Sequence, residues 1–155
     1  MKLRIVALGH RMPAWVDAAF DDYRRRMPRE SPLDLVVLKP APRDAGKTVP
    51  QLLASEAQRI RDASAGFRVV ALDERGAALA TRELAARLAR WRDEGADVAF
   101  VIGSADGLDP AVKREAAAVI ALSALTLPHG LARVLIAEQL YRACCVNANH
   151  PYHRD

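Results

Sequence analysis

Short apolar segments alternate with amphipathic segments along most of the chain, and this alternation restricts the fold more than any other feature of the sequence. The segment DVAFVIG (residues 97–103) is apolar without period-two alternation, which is typical of a strand buried on both faces. Further strands are predicted at residues 2–9, 34–38, 67–73 and 119–125, and helices at 13–27, 48–64, 81–94, from Pro110, and at 129–147. The pattern predicts one α/β domain, with a parallel or mostly parallel sheet and helices on both faces.

Local signals support these boundaries. Thr48 and Thr81 are predicted to cap the N-termini of their helices, and Gly95 to end the helix that Thr81 begins. The segment 39–47 contains prolines, a glycine and three basic residues, and is predicted to be an exposed loop.

Composition excludes several classes of protein. The chain has 155 residues, of which 51% are hydrophobic and 27% charged, as in a folded globular domain. Its net charge of +4 arises from 23 basic against 19 acidic residues, which favours a polyanionic partner only mildly. No apolar run approaches the roughly 18 residues of a membrane span. Cys144 and Cys145 are adjacent and poorly placed for a disulfide, so we expect a reduced, cytoplasmic protein without membrane contact.

The carboxyl ends of parallel strands are the expected location of a ligand. Residues 72–76, 103–107 and 123–130 lie at the ends of predicted strands, and each of these segments contains glycine, which allows a close approach of backbone to ligand. Neither a G-x-G-x-x-G fingerprint nor a P-loop lysine is present, so a phosphate cradle is not expected. The glycines of residues 103–107 fit a simple turn equally well.

The last predicted helix carries a charged pair within an apolar stripe. Glu138 and Arg142 are four residues apart and therefore within reach of each other. The same side of the helix carries Leu131, Val134, Leu135, Tyr141 and Cys145. Ile136 and Leu140 lie on the opposite side, so we expect cover on both sides, for which a partner subunit is suited. The pair is either a structural ion pair or part of a functional site.

The C-terminal residues have side chains suited to RNA chemistry. Tyr152 could stack on a base, Arg154 could contact a phosphate, and His153 could transfer a proton near neutral pH. His150 and His153 supply too few ligands for a zinc site, so no metal is predicted. His10 and His129 are interpreted as loop or cap residues.

Three C-terminal segments closely resemble the ribosomal RNA large-subunit methyltransferase H family. They are LSALTLPH (residues 122–129), RVLIAEQLYRA (133–143) and NHPYHR (149–154). Similar residues occur upstream at 2–3, 12–16, 72–73, 102–103 and 107–108, so the resemblance covers essentially the whole chain.

The resemblance implies a SPOUT fold, an α/β domain with a deep C-terminal trefoil knot, and a homodimer. It also implies S-adenosylmethionine (AdoMet) as cofactor, and methylation of N3 of a pseudouridine in large-subunit ribosomal RNA of the assembled ribosome. RNA, and not DNA, is the implied nucleic acid.

The resemblance further implies which residues act. The AdoMet pocket would be formed by Leu72, Gly103, Leu122, Ser123, Ala124, Leu125, Thr126 and Leu127. We expect His153, or a water that it holds, to accept the N3 proton, and Tyr152 to stack on the target. Arg142, paired with Glu138, and Arg154 would orient the base and the phosphates. The tail is expected to complete the pocket of the partner subunit.

One loop departs from the family pattern. The family usually has Gly-Gly-Pro-Glu-Gly where this chain has GSADG at residues 103–107, which puts the role of the Asp106 carboxylate in doubt. A methyltransferase acting on another RNA such as tRNA, or a non-catalytic ribosome-binding homologue, are the alternatives. A dinucleotide oxidoreductase is the weakest, because its glycine fingerprint is missing.

Overall fold

The computed structural model describes residues 1–43 and 46–153, in which strands and helices alternate as the sequence predicts. Residues 44 and 45 of the predicted exposed loop, and Arg154 of the tail, lie outside the described residues. The elements are β1 (Leu3–Leu8), α1 (Ala14–Arg26), β2 (Leu33–Leu38), α2 (Val49–Ala63), β3 (Arg68–Ala78), α3 (Thr81–Asp93), β4 (Val98–Ile102), α4 (Pro110–Glu115), β5 (Ala118–Ala121) and α5 (His129–Asn147).

The five strands form one sheet in the order β2-β1-β4-β3-β5. Each neighbouring pair is parallel, with Ile5 aligned to Leu35 on one side and to Phe100 on the other. Parallel pairing brings the carboxyl ends of all five strands to one edge of the sheet, where residues that follow the strands can meet.

The predicted helices on both faces are confirmed by two separate hydrophobic clusters. Ile5 and Phe100 point to the face covered by α1, α3 and α5, where they pack with Leu140 of α5. The alternating residues of the same strands, such as Val6 and Val101, pack on the other face with residues of α2 and α4. Since both sides of each central strand are buried, their continuous apolar sequences are explained.

Helix α5 buries one side and leaves the other partly open. Ile136 and Leu140 are fully buried, whereas Leu131 is 45% exposed, and Glu138 and Arg142 are half-buried. The charged pair therefore lies on the side of the helix that faces away from the core of its own chain. No helix among residues 1–43 and 46–153 has the length and apolarity needed to cross a membrane.

Two strand ends differ from the predictions. Strand β5 ends at Ala121, not at residue 125, and the Ser123 hydroxyl accepts a hydrogen bond from the Leu125 N–H (2.9 Å) in a local turn that competes with the strand. Strand β3 continues beyond Asp73 to Ala78 and pairs with β5 again after a register shift. Residues 122–128 thus leave the sheet as an irregular segment.

The predicted N-cap at Thr81 is wrong, whereas the one at Thr48 is confirmed. Thr48 accepts a hydrogen bond from the Gln51 N–H and donates its own N–H to the Gln51 side chain. Ala80 occupies the N-cap position of α3, and its N–H is bound by the Glu83 carboxylate (2.6 Å). The Thr81 hydroxyl instead donates to Gln139 of α5 (2.8 Å), a tertiary contact that local sequence does not reveal.

Candidate functional site

A cleft of about 890 Å³ lies at the carboxyl edge of the sheet, beside the residues that follow β1, β2, β4 and β5 and beside the middle of β3. Its size is within the usual range for small-molecule sites. Seven of the eight residues predicted to bind a cofactor line it: Leu72, Gly103, Leu122, Ser123, Leu125, Thr126 and Leu127. The eighth, Ala124, is exposed and is not among the lining residues. The irregular segment after β5 thus forms much of one wall.

Glycine is required at both ends of the turn after β4. A β carbon at residue 103 would lie 2.5 Å from the Gly107 carbonyl oxygen, closer than such atoms approach. Gly107 has a φ of +85°, and its N–H donates to the Ser104 carbonyl (2.9 Å). The turn after β4 is itself a wall of the cleft. These glycines are therefore required by the turn and also lie where backbone could approach a ligand.

Charged side chains line the cleft where β3 passes it. The Asp73 carboxylate accepts hydrogen bonds from the Arg75 N–H (2.9 Å) and from the Lys113 ammonium (3.0 Å). Burial acts to raise the pKa of Asp73, but these two hydrogen bonds and the positive charges outweigh it, so the pKa is lowered. Glu74 accepts from the Thr126 hydroxyl (3.2 Å). The sequence placed residues 72–76 near a ligand but gave these side chains no role.

His129 is a cleft residue, not merely a cap. Its ring lies beside Gly9, and Nε2 is 3.1 Å from Nη2 of Arg133, a guanidinium that is only 2% exposed. Burial, and then the Arg133 charge, lower the pKa of His129 in spite of a hydrogen bond with the Gly103 backbone. Because a guanidinium only donates, Nε2 must accept, and the ring is held neutral. The sequence signal that could have identified His129 as a cleft residue is its position directly after LTLP (residues 125–128).

The predicted pair on α5 forms a cluster with the tail. Nε of Arg142 donates to Oε1 of Glu138 (2.8 Å), and the Tyr152 hydroxyl lies 3.2 Å from the same oxygen. The Arg142 guanidinium lies over the Tyr152 ring, 4.8 Å from its centroid, and the ring also contacts Tyr141. Burial, with the neighbouring Tyr23 and Glu138, raises the pKa of Tyr152, so its phenol remains a neutral donor. We call Glu138, Arg142, Tyr152 and His153 the tail cluster.

His153 lies at the end of the tail cluster with a defined tautomer. Its Nδ1 is 2.7 Å from the carbonyl oxygen of His150, which can only accept, so Nδ1 carries a proton, and in the neutral ring the lone pair is on Nε2. Arg154, the remaining predicted residue of the tail, lies outside the described residues.

The cleft and the tail cluster are separate within one chain. None of the four residues of the tail cluster is among those that line the cleft. In the part of the chain that the structure describes, no three histidine, cysteine or acidic side chains are grouped so as to hold a metal ion.

Comparison with known proteins identifies the family. Residues 1–153 match the family described as "Predicted SPOUT methyltransferase". The chain is 57% identical over 156 residues to a protein of Variovorax paradoxus, with all of both chains covered, and 53% identical over 155 residues to one of Nitrosospira multiformis, with 99% of both covered. Both relatives are named ribosomal RNA large subunit methyltransferase H. The chain belongs to this SPOUT methyltransferase family.

Two solved structures share the SPOUT methyltransferase fold at low identity. A probable methyltransferase from Bordetella pertussis is 22% identical, with a TM-score of 0.59 over 91% of this chain and 95% of its own. A putative methylase family protein from Neisseria gonorrhoeae is 16% identical, with a TM-score of 0.57 over 99% of this chain and 86% of its own. At these identities the likeness concerns the fold alone.

Proposed function

We propose that this methyltransferase transfers a methyl group from AdoMet to N3 of a pseudouridine in large-subunit ribosomal RNA of the assembled ribosome. The observation that carries the proposal is that LSALTLP (residues 122–128), part of one of the three segments that resemble the family, leaves the sheet and walls the cleft. The names of the full-length relatives support ribosomal RNA as the substrate.

The chemistry of the cleft wall suits AdoMet. Leucine side chains at 72, 122 and 127 offer apolar surfaces for an adenine ring, and the irregular backbone of residues 122–128 offers N–H and carbonyl groups for its edge. The acidic lining residues Asp73, Glu74 and Asp106 are matched by the basic lining residues Arg43, Arg75 and Lys113, so apolar and backbone contacts, and not net charge, would hold the cofactor. The cofactor supplies an electrophilic methyl group when bound. No phosphate cradle is needed, in agreement with the absence of a glycine fingerprint.

The tail cluster provides groups for the nucleophile. N3 of a pseudouridine carries a proton, which must leave before the nitrogen can attack. The lone pair on Nε2 of His153 can accept this proton, directly or through water. Arg142, fixed by Glu138, would stabilise the negative charge that develops on the base, and Arg154 would bind phosphate. Tyr152 would leave its contact with Tyr141 to stack on the target.

A homodimer would bring the two sets of residues together. The tail cluster does not line the cleft of its own chain, and it lies on the side of α5 that the chain leaves partly open. Leu131 and Trp15, which are 45% and 54% exposed, are large apolar side chains that a second subunit could cover. The tail of one protomer would then complete the active site of the other, by adding the groups that act on the target base beside the cofactor cleft. The trefoil knot that the family fold implies, and a cytoplasmic location beside ribosomes, belong to the same proposal.

The test is transfer of labelled methyl from AdoMet to ribosomes from cells that lack this protein. Whole ribosomes, isolated large subunits and free tRNA are compared, and the labelled nucleoside is identified by mass spectrometry. We expect label in a large-subunit pseudouridine, most strongly with whole ribosomes. Label in tRNA alone would identify a different RNA substrate, and a protein that binds ribosomes without binding AdoMet would be the non-catalytic homologue.

A further inference from the structure

A buried carboxylate on α2 connects two segments that wall the cleft. Glu56 is only 4% exposed and does not line the cleft. Its Oε1 accepts a hydrogen bond from the Ala41 N–H (2.9 Å), and its Oε2 accepts one from the Ser104 hydroxyl (2.9 Å). Both carboxylate oxygens are therefore used, each by a different segment of the cleft wall.

Both of the segments that Glu56 connects contain residues that line the cleft. Pro40 and Arg43 line the cleft next to Ala41, and residues 103–108 line it around Ser104. Arg43 also pairs with Asp106 across the same gap, with Nη2 and Oδ2 2.6 Å apart. Asp106 thus has a partner, and the GSADG departure supplies two side chains that connect this turn to residues 41–43: Ser104 through Glu56, and Asp106 directly.

The two connections differ in strength. Arg43 is 57% exposed, and an exposed ion pair contributes little because water and salt screen it. Hydrogen bonds to a buried carboxylate are stronger, and removal of the acceptor would leave the Ala41 N–H and the Ser104 hydroxyl without partners. The Glu56 connection therefore dominates.

We propose that Glu56 and Ser104 are positioning residues for the cofactor, which hold residues 40–43 and 103–107 at the separation that AdoMet requires. This inference rests on the proposed function, because it assumes that AdoMet occupies the cleft. Without the connection the two segments would have to be ordered again each time the cofactor binds, which lowers affinity. The bound geometry, and hence the rate at saturating cofactor, would be little changed.

The experiment measures the Kd for AdoMet by calorimetry, and KM and kcat with ribosomes, for a set of matched variants. We expect Ser104→Ala to raise the Kd about 5-fold and Glu56→Met about 20-fold, in line with the loss of one and of two hydrogen bonds to a charged group. Glu56→Gln should stay within about 2-fold of the unchanged protein, since its amide can accept from Ala41 and donate to Ser104. KM for AdoMet should follow the Kd while kcat stays nearly constant.

A double variant and a control separate positioning from general stability. In the Glu56→Met background, Ser104→Ala should add nothing, because its partner is already absent. Ser64→Ala removes another buried hydroxyl, which donates to the Ile60 carbonyl (2.6 Å) at the far end of α2, and should lower Tm without changing the Kd.

An unchanged Kd in Ser104→Ala, or equal losses in both backgrounds, would overturn the inference. If Glu56→Met does not fold, the comparison of Ser104→Ala with Ser64→Ala still decides. Failure of the unchanged protein to bind AdoMet would contradict the proposed function itself, and so is distinguishable from failure of the positioning role alone.

Discussion

The cleft is assembled from residues along most of the chain, whereas the tail cluster comes from α5 and the residues after it, and the two are held in different ways. The cleft is formed where strand ends of a rigid parallel sheet meet, and its turns are fixed by close backbone contacts such as that between Gly103 and Gly107. The tail cluster is held by side-chain contacts to the partly open side of α5, centred on Glu138.

This difference indicates that the cleft and the tail cluster have separate functions. The cleft can take a small ligand within one chain, because all of its walls come from that chain. The tail cluster carries the side chains that we propose for catalysis but does not line the cleft of its own chain, so the proposed role depends on what packs against α5. We therefore expect the single chain to determine the affinity for the cofactor, and the proposed homodimer to be required for turnover.

The largest effect is expected from deletion of residues 152–155. Turnover with ribosomes should fall at least about 1,000-fold, since the expected base and its neighbours are lost. The Kd for AdoMet, measured by calorimetry, should stay within about 2-fold, because Tyr152 and His153 do not line the cleft. A loss of affinity comparable to the loss of turnover would show that the tail is part of the cofactor site, and the cleft and the tail cluster would then not have separate functions.

The next largest effect is expected from Gly103→Val, which acts on the cleft. The added side chain must displace the Gly107 backbone, so the Kd for AdoMet should rise at least about 100-fold. Gly66→Ala is the matched control, since Gly66 has a φ of +80° in a turn that does not line the cleft. It should lower Tm through backbone strain and leave the Kd unchanged. Unchanged AdoMet affinity in Gly103→Val would contradict the assignment of the cleft.

A smaller effect is expected from a pair of leucine substitutions. Leu125 is 76% exposed at the cleft, and Leu125→Ala should raise the Kd for AdoMet about 5-fold, through lost apolar contact, without a change in Tm. Leu140 is fully buried on the core side of α5, and Leu140→Ala should lower the free energy of unfolding by about 3 kcal/mol. Thermal unfolding together with calorimetry distinguishes the two variants. A loss of stability in Leu125→Ala would mean that residues 122–128 belong to the core and not to the cleft wall.

The smallest effect is a pH dependence that originates at His129. Its pKa is lowered in the folded state, so the unfolded chain takes up the proton first as pH falls below the ordinary histidine value. Stability should decrease from pH 7 to pH 5.5, by at most about 1.4 kcal/mol per pH unit for one proton. His129→Gln should reduce this slope in urea unfolding experiments. Equal slopes in both proteins would mean that the proton uptake occurs elsewhere.

Local sequence predicted the elements well where burial and capping act within one segment. The bounds of α5 and the Thr48 cap are confirmed, because helix periodicity and capping depend on neighbours a few residues apart. The prediction of an N-cap at Thr81 was wrong because Gln139, 58 residues away, bound its hydroxyl. Strand β5 was predicted too long because apolar leucines continue beyond it, although they line a cleft and not the sheet.

Only part of the candidate site could be predicted from the sequence. The strand ends that form the cleft could be read from the sequence, since parallel strands bring their carboxyl ends together. His129 and Lys113 could not, because His129 meets Gly9, and Lys113 meets Asp73, only in the folded chain. The same holds for Glu56, whose two hydrogen bonds reach 15 and 48 residues along the chain.

By itself, the sequence determined the alternation of elements, the parallel sheet buried on both faces and the family, because apolar periodicity and dense motifs are local properties. Only the tertiary structure decided which side of α5 faces the core, which side chains line the cleft, and that the tail cluster lies apart from it. Those outcomes depend on contacts between residues far apart in the chain, where packing and hydrogen bonding override the preferences of any single segment.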